Sequence, residues 1–381
     1  MHEPRGNSNK PILIFPGGAP RSLEFLEKCQ RENQPVIGAS SLGHDPSRAR
    51  YPGWLYLPYI TEAAFDQALI EAISKAGIGG IYTANPVVWD RIHRIASQLP
   101  AGVELVNELP ASAELTPFRS ARAYAQTWLA APLPLASATS AKPALPEIEL
   151  AALFKHADII PGMCDHEKIY ALCEIARYSV SGDLVEIGSW WGKSAFVLAR
   201  LASCHAIGKL LCIDPWTNEN LVQHDDAGLV DSVSAQYDAD EALTVFHMNL
   251  LPYNQQHINF LRMTSMQAVR HYTGQDTVDS AAFGSTRFDK KIAILHIDGN
   301  HTYAAVKADV VSWCGLVAAG GWIIIDDYVW PYGDGPRRAG DEFLAQHMSS
   351  IASAFLIGSA LFIQLRERLP PQQVGETGSF R

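Results

Sequence analysis

The first third of the chain alternates short apolar runs with amphipathic stretches. The apolar runs have the length and composition of buried β-strands and lie at residues 11–15, 34–40, 54–58 and 80–84. Helical patterns follow at residues 21–31, 61–77 and 86–99, with Thr61 as the N-cap of the second and Pro86 near the start of the third. This alternation predicts a small Rossmann-like α/β domain with a parallel sheet, whose last regular element ends near Leu109.

An Ala-, Pro- and Ser-rich stretch at residues 130–146 interrupts the periodic pattern, because its prolines prevent a helix from continuing. Two helical patterns follow it, and a second β/α series begins at Asp183. The sequence therefore predicts a first domain at residues 1–129, a linker at 130–150 and a second domain at 151–381.

Composition narrows the class of protein. The chain has 381 residues, of which 48% are hydrophobic and 18% charged, and it contains no apolar run near the roughly 20 residues of a membrane span. Its polar start, MHEPRGNSNK, lacks the apolar core of a secretory signal, so we expect a cytoplasmic protein away from membranes. The six cysteines form no CxxC pair, which argues against a zinc knuckle or a disulfide framework. A net charge of −10 without a basic stripe disfavours nucleic acid and favours a small acceptor.

The segment DLVEIGSWWGKSAFVLARLA at residues 183–202 carries the first chemical signal. An apolar strand ends at Glu186, a turn contains Gly188 and Gly192, and a helical pattern follows. Glycines let a backbone approach a ligand closely, and the next strand, KLLCID, ends in Asp214, whose carboxylate can accept both hydroxyls of a ribose. The alternative interpretation is a plain tight turn followed by an acid that caps a loop.

The pattern E-x-G-x-x-x-G-x-S, with an acid at the end of the second strand, resembles motif I of class I S-adenosylmethionine-dependent methyltransferases. The resemblance implies a Rossmann-like second domain with a mostly parallel seven-stranded sheet and S-adenosylmethionine as cofactor. It further implies that Glu186 lies near the methionine portion, Asp214 on the ribose and Ser265 beside the adenine. The full set of cofactor-binding residues that the resemblance implies is Glu186, Gly188, Ser189, Gly192, Ser194, Asp214 and Ser265, with the glycines against the cofactor.

The segment at residues 292–330 contains two further apolar strands that end in carboxylates. The first ends at Asp298 and the second at Asp326 and Asp327. Adjacent parallel strands lie about 4.8 Å apart, so these side chains can converge, and a hard divalent cation such as Mg²⁺ would relieve their repulsion. The alternative is that the acids only cap turns. His301, three residues after Asp298, is either a base for a hydroxyl proton or a solvated histidine at a helix start.

D-G-N-H-x-Y followed by G-G-x-I-I-I-D-D-Y resembles the metal-dependent O-methyltransferases of the macrocin type, which modify sugars of natural products, over roughly residues 160–365. The resemblance implies Asp298, Asp326 and Asp327 as Mg²⁺ ligands and His301, together with Asp298, as the catalytic residues. Other members of that group use an acidic residue as the base in this loop, where this chain has Asn300.

The N-terminal segments PILIFPGGAPRS and ARYPGWLYLP resemble the small Rossmann-like domain that precedes ATP-grasp enzymes. The expected ribose-binding acid is missing after the second strand, so a role in acceptor recognition or oligomerisation is favoured. Residues 215–257 are long for a connection and suggest a lid or an acceptor wall.

Together these features predict metal-dependent methyl transfer to a hydroxyl of a sugar-containing or other polyhydroxylated metabolite by a homo-oligomer. Two alternatives stay open. One is a nucleotide- or NAD-dependent enzyme with the same fold, and the other is a non-catalytic scaffold, which the clustered carboxylates disfavour.

Overall fold

The computed structural model describes residues 10–222, 228–254 and 257–370. The chain divides into two compact units between Arg119 and Ser120. The N-terminal segment that predicts a cytoplasmic protein lies outside the described residues except for Lys10, and the predicted lid at 215–257 lies partly outside them. In the described part, no helix combines the length and the apolar character needed to cross a bilayer.

The first unit is built on a five-stranded parallel sheet in the order β3-β2-β1-β4-β5. Its strands are β1 (Ile12–Ile14), β2 (Val36–Ser40), β3 (Trp54–Tyr56), β4 (Gly80–Tyr82) and β5 (Glu104–Leu105). Its helices are α1 (Pro20–Arg31), α2 (Phe65–Ala76), α3 (Pro86–Arg94) and α4 (Pro110–Ala130), the last of which continues past the division. The predicted small parallel α/β unit is present.

Two local predictions in this unit are wrong. Thr61 does not cap α2, because the helix begins at Phe65 after Ala64, where the buried face formed by Phe65, Leu69 and Ile73 starts. The regular structure does not end near Leu109 either. Helix α4 starts at the following residue, Pro110, whose fixed φ suits a first helical turn.

Within its described residues, the second unit contains eight further helices and nine strands. The helices are α5 (Glu147–Ala157), α6 (His166–Arg177), α7 (Lys193–Cys204), α8 (Leu229–Ser234), α9 (Ala239–Leu250), α10 (Ser265–Gly274), α11 (Tyr303–Trp313) and α12 (Gly335–His347). The strands are β6 (Asp183–Ile187), β7 (Leu210–Asp214), β8 (Ile258–Arg262), β9 (Thr277–Ser280), β10 (Gly284–Arg287), β11 (Ile292–Ile297), β12 (Val317–Ile325), β13 (Ile351–Ile357) and β14 (Ala360–Leu365).

Seven of these strands form one sheet in the order β13-β14-β12-β11-β6-β7-β8. The strands from β12 to β8 run parallel, whereas β14 is antiparallel to both β12 and β13. The predicted mostly parallel seven-stranded sheet is therefore confirmed. Strands β9 and β10 form a separate antiparallel hairpin.

The two faces of the large sheet bury different sets of side chains because side chains alternate along a strand. Leu184 of β6 and Ile294 of β11 belong to the core that includes α5, α6 and α7. Val185 and Leu295 belong to the core that includes α10, α11 and α12. By the same alternation, Glu186 two residues after Leu184, and His296 two residues after Ile294, face α6.

The Ala/Pro/Ser-rich stretch contains no helix or strand between Ala130 and Glu147. It nevertheless lies along the second unit. Ser137 Oγ and the Ala138 N–H both donate to Gln364 Oε1 at 2.9 Å, and Lys142 Nζ donates to the His205 carbonyl at 2.9 Å. The domain limits 1–129, 130–150 and 151–381 stay a prediction.

Candidate functional site

The glycine turn after β6 is fixed by packing inside the protein. Gly188 has a φ of 85°, and a Cβ on it would lie 1.9 Å from the Asp298 carbonyl oxygen. Gly192 has a φ of 86°, and its Cβ would lie 2.5 Å from Leu250 Cδ2. Packing within the protein is therefore enough to explain why both positions are glycine, whether or not a ligand binds there. Their contact with a cofactor stays a prediction.

Asp214, at the end of β7, ties two loops together. Its Oδ2 accepts the Trp190 N–H at 3.0 Å, and its Oδ1 accepts the Trp216 N–H at 2.8 Å. Both tryptophans have positive φ, 41° and 42°, in a region that bulky residues rarely adopt. Burial raises the pKa of the Asp214 carboxyl to about 6. Each carboxylate oxygen keeps a second lone pair, so the predicted ribose contact stays open.

The three candidate serines are placed as follows. Ser189 is buried in the glycine turn, and Ser194 is buried in the first turn of α7. Ser265 is the first residue of α10, and its Oγ accepts the Trp313 Nε1–H at 2.9 Å. It also hydrogen-bonds Asp309, a buried acid whose pKa burial raises to about 7. The structure therefore gives Ser265 partners within the protein.

The acidic strand ends are level with one another because the parallel ladder continues past the strands. The Asp298 N–H donates to the Ile187 carbonyl at 2.8 Å, and the Asp326 N–H donates to the Ile297 carbonyl at 2.9 Å. This brings the residues after β6, β11 and β12 to the same edge of the sheet. Asp327 has a φ of 48°, in the left-handed region, so the backbone changes direction directly after Asp326.

The predicted acids form two overlapping groups, each able to offer ligand atoms that lie within 4.8 Å of one another. The inner group contains His296, Asp298 and Asp326, and the outer group contains Asp298, His301 and Asp327. Asp298 belongs to both. Among residues 10–222, 228–254 and 257–370, no group of this kind contains all three aspartates. Asp326 and Asp327 are therefore two neighbours of Asp298 rather than one joint pair.

His301 lies in the outer group, where the sequence predicts a base. Its Nε2 is 3.2 Å from Asp327 Oδ2 and 3.9 Å from Asp298 Oδ1. The ring packs edge-on against Trp330 at 4.8 Å between centroids. Asn300 donates its Nδ2–H to the Val222 carbonyl at 2.8 Å.

Two residues of this site were missed by the sequence analysis. His296 is fully buried, with Nδ1 3.1 Å from Glu186 Oε1 and Nε2 3.5 Å from Asp326 Oδ2. Lys168 of α6 is 3% exposed, and its Nζ contacts Asp326 and lies 3.6 Å from Asp298 Oδ2. The sequence spacing gives no local sign of either contact.

The pKa values reflect this mixture of charges. Burial would raise the pKa of Asp298, but the Lys168 ammonium and His301 outweigh it and lower the pKa to about 2. Burial and the charge of Asp298 raise the pKa of Asp327. Burial lowers the pKa of Lys168, but Asp298 and the other nearby acids outweigh it, and the pKa lies above its usual value. Asp298 and Lys168 are therefore charged at neutral pH.

The aromatic and basic residues around the site are mostly engaged in packing. Helix α12 begins at Gly335 and carries Arg337 and Arg338. Arg338 lies over the Tyr303 ring at 4.2 Å. Trp216 is fully buried and donates its Nε1–H to the Trp190 carbonyl at 3.0 Å.

A mostly parallel seven-stranded α/β sheet with an acidic cluster beside a glycine turn is the arrangement expected of a methyltransferase. Residues 185–328, less than half of the chain, match the family model described as a methyltransferase domain. The prediction of a methyltransferase is confirmed by this match. The chain has no match among curated proteins.

Several solved structures are similar to part of the chain. The O-methyltransferase NovP is 20% identical, with 52% of this chain and 80% of that chain covered and a TM-score of 0.37. CalS11, a TDP-rhamnose 3′-O-methyltransferase, is 14% identical, with coverages of 65% and 93% and a TM-score of 0.37. MycE, determined with Mg, SAH and mycinamycin VI, is 15% identical, with coverages of 52% and 48% and a TM-score of 0.30.

Proposed function

We propose that the chain transfers a methyl group from S-adenosylmethionine to a hydroxyl of a sugar or other small polyhydroxylated metabolite, and that the acceptor site holds a divalent cation. The observation that supports a hydroxyl acceptor and a bound cation is a cluster of potential ligands beside the glycine turn. In this cluster Asp326, Asp327 and His301 lie around Asp298 in two overlapping groups. A cluster of oxygen ligands suits a hard cation, and such a cation suits an acceptor with adjacent hydroxyls.

One direct observation supports the binding of a positively charged cofactor at the turn after β6. Glu186 is fully buried, and its Oε2 has no hydrogen-bond partner among the residues that the structure describes. A buried carboxylate oxygen without a partner is costly, and a sulfonium or ammonium group nearby would compensate it. Glu186, Asp214 and the turn between Gly188 and Gly192 are therefore the residues proposed to hold S-adenosylmethionine.

The acidic cluster fits a divalent cation by its donor set. Asp298 and Asp327 offer two carboxylates on the outer side, and Asp326 offers a further carboxylate on the inner side. Two neighbouring carboxylates repel each other, and burial together with the charge of Asp298 raises the pKa of Asp327. We propose Mg²⁺ or a similar ion for this position.

The residues of the chain contribute alignment and proton transfer. When bound, the donor supplies an electrophilic methyl group and the cation lowers the pKa of a hydroxyl coordinated to it. His301 can accept the hydroxyl proton, and Asp327, 3.2 Å from Nε2, would stabilise the resulting imidazolium. Glu186 is fully buried, so water is kept away from its carboxylate and its electrostatic contact with a bound cofactor would be strengthened.

Three parts of the proposal concern the whole molecule and rest on sequence alone. They are a cytoplasmic location, a homo-oligomeric state and a role of the first unit in acceptor recognition or oligomerisation. A nucleotide- or NAD-dependent enzyme is the alternative that a binding experiment must separate from the proposal.

The test combines binding with product detection. Calorimetric titration should show that the full-length chain binds S-adenosylhomocysteine and Mg²⁺ but not NAD. Incubation with S-adenosylmethionine, Mg²⁺ and a panel of glycosylated and polyhydroxylated metabolites should give a product heavier by one methyl group.

The variant Asp298→Asn should weaken Mg²⁺ binding and lower product formation by about 100-fold or more, while S-adenosylhomocysteine binding changes little, because the residue belongs to both acidic groups. Asp279→Asn, at an exposed position of β9, is the matched control and should behave as the wild type. Full activity in EDTA would contradict the metal-dependent part of the proposal, and binding of NAD alone would contradict all of it.

A further inference from the structure

Lys168 is an ammonium group placed inside the candidate metal site. It belongs to α6, in which every residue from Lys168 to Ala176 is buried. The Lys168 side chain is 3% exposed, contacts Asp326 and lies 3.6 Å from Asp298. A lysine is rarely buried to this degree unless it is paired, so its position here must be held by the two acids.

The ammonium and a divalent cation would need the same carboxylate oxygens. Asp326 Oδ2 is the atom that contacts Lys168, and it is also an oxygen of the inner acidic group with His296 and Asp298. Each positive charge also repels the other across a few ångströms in a site of low dielectric. Lys168 therefore opposes the binding of a cation both by occupying an oxygen and by its charge.

We propose that Lys168 is a built-in counter-ion that competes with the divalent cation for Asp326 and thereby sets how tightly the site holds the cation. This inference rests on the proposed metal-dependent function. It makes Lys168 a positioning residue, because it acts through Asp326 and Asp298 and has no assigned contact with an acceptor. In this arrangement Asp327, in the outer group, is the carboxylate that Lys168 leaves accessible to the cation, because the ion pairs of Lys168 are with Asp326 and Asp298.

Other contacts already hold α6 in place, so Lys168 is not needed to anchor the helix. Asp165 caps the helix by accepting the Lys168 backbone N–H at 2.7 Å, a bond that any side chain at this position preserves. Ile169, Leu172 and Ile175 are fully buried in the core on this face of the sheet. Replacing the ammonium by an apolar group of similar length should therefore leave the helix formed and the acids uncompensated.

The experiment measures cation affinity directly. Mg²⁺ and Mn²⁺ are titrated separately into the full-length wild type and into Lys168→Met by isothermal calorimetry, with S-adenosylhomocysteine titrated into both as a check of the fold. We expect Lys168→Met to bind the cation at least about 10-fold more tightly. Lys290→Met, which removes an ammonium paired with Asp276 outside the site, is the matched control and should leave cation affinity unchanged.

A double-variant cycle separates competition from a structural effect. If Lys168 acts through Asp326, the gain from Lys168→Met should shrink to about 2-fold or less in an Asp326→Asn background. Mg²⁺ should also raise the melting temperature of Lys168→Met more than that of the wild type, because the cation then supplies the missing positive charge. Lys168→Arg retains the charge and should not gain affinity.

The possible outcomes distinguish a failure of the role proposed for Lys168 from a failure of the metal site itself. Cation binding by Lys168→Met that is equal to or weaker than wild-type binding overturns the role of Lys168 and leaves the metal-dependent function intact. Binding by the variant alone supports the inference in its strongest form, in which Lys168 excludes the cation. Absence of cation binding in both proteins overturns the inference and the metal site together, while binding of S-adenosylhomocysteine separately preserves methyl transfer. If Lys168→Met does not fold, Lys168→Gln undergoes the same titrations with the same expected gain.

Discussion

Gly188 is the residue whose replacement should damage the site most directly through the backbone. Its φ of 85° and the 1.9 Å between an added Cβ and the Asp298 carbonyl oxygen leave no room for a side chain. We expect Gly188→Ala to lower the free energy of unfolding by about 2–4 kcal/mol, because strain and a backbone clash add together. Urea unfolding followed by circular dichroism measures the change.

Gly274, the last residue of α10, provides the control for this substitution. It has no positive φ, and a Cβ on it would meet nothing within 4 Å. Gly274→Ala should therefore be neutral or slightly stabilising. Equal stability of the two alanine variants would show that the turn after β6 can relax around a side chain, against the packing described for Gly188.

Asp309 should make stability depend on pH, because burial raises the pKa of its carboxyl to about 7 from an ordinary value of 3.8. Between about pH 4 and 7 the unfolded chain releases this proton while the folded chain retains it, so the free energy of unfolding falls as pH rises. Asp309→Asn removes this proton exchange. The stability of the variant relative to wild type should rise from pH 5 to 8, by at most about 3 kcal/mol.

The measurement is urea unfolding of both proteins at pH 5, 6, 7 and 8. Asp279→Asn on the exposed side of β9 serves as the control and should follow the wild type at every pH. Asp214 and Asp183 also have pKa values raised to about 6 by burial, so the wild type should lose stability over the same range even without Asp309. A constant difference between Asp309→Asn and wild type would show that the carboxyl is ionised throughout.

At the residue scale, the sequence indicates acids at strand ends but not the groups that neutralise them. Asp298, Asp326 and Asp327 follow apolar strands, and this local pattern is visible in the printed chain. Lys168 lies more than a hundred residues before them, in a helix whose buried faces are set by tertiary packing. His296 lies inside an apolar run, and its contact with Glu186 depends on the register of β11 against β6, which places the two residues opposite each other.

At the scale of elements, most parallel strands of both sheets are predictable, because their apolar runs reflect burial on two faces. The sequence analysis predicts no strand at β5, β13 or β14. Register follows from the same burial, and it aligns Glu186 with His296 across β6 and β11. Helix limits were less predictable. The start of α2 depends on the first buried side chain, Phe65, rather than on the polar Thr61, and α4 contains Pro117, which in sequence argues against a helix.

The loops after the strands connect these elements to the chemistry of the site. Asp214 joins the turn after β6 to the loop after β7 through two backbone N–H groups, and both of the tryptophans that donate them have positive φ. Strained residues of this kind persist only where their surroundings determine the conformation. A long-range contact between two loops leaves no periodic pattern in sequence, which explains why the strand ends were predicted while the loop geometry was not.

For the whole molecule, the limits of the second domain can be tested by truncation. Predicted limits of 151–381 exclude the stretch at 131–146, yet Ser137 and Ala138 both donate to the buried Gln364, and Lys142 donates to the His205 carbonyl. Removing these donors leaves Gln364 Oε1 buried without them, which is costly. We expect fragment 151–381 to melt several degrees below fragment 110–381, or not to fold.

Fragment 110–381 retains all of α4 and should bind S-adenosylhomocysteine as tightly as the full-length chain, because the residues proposed to bind the cofactor lie after Asp183. Far-ultraviolet circular dichroism, thermal melting and calorimetry on both fragments make the comparison. If 151–381 were as stable as 110–381, the stretch at 131–146 would be a linker in the physical sense, free of the second unit. If instead only the longer fragment folds, the stretch at 131–146 is part of the second unit, which then begins before it. In that case this Ala-, Pro- and Ser-rich segment is irregular in backbone but is held by its hydrogen bonds to Gln364 and to the His205 carbonyl.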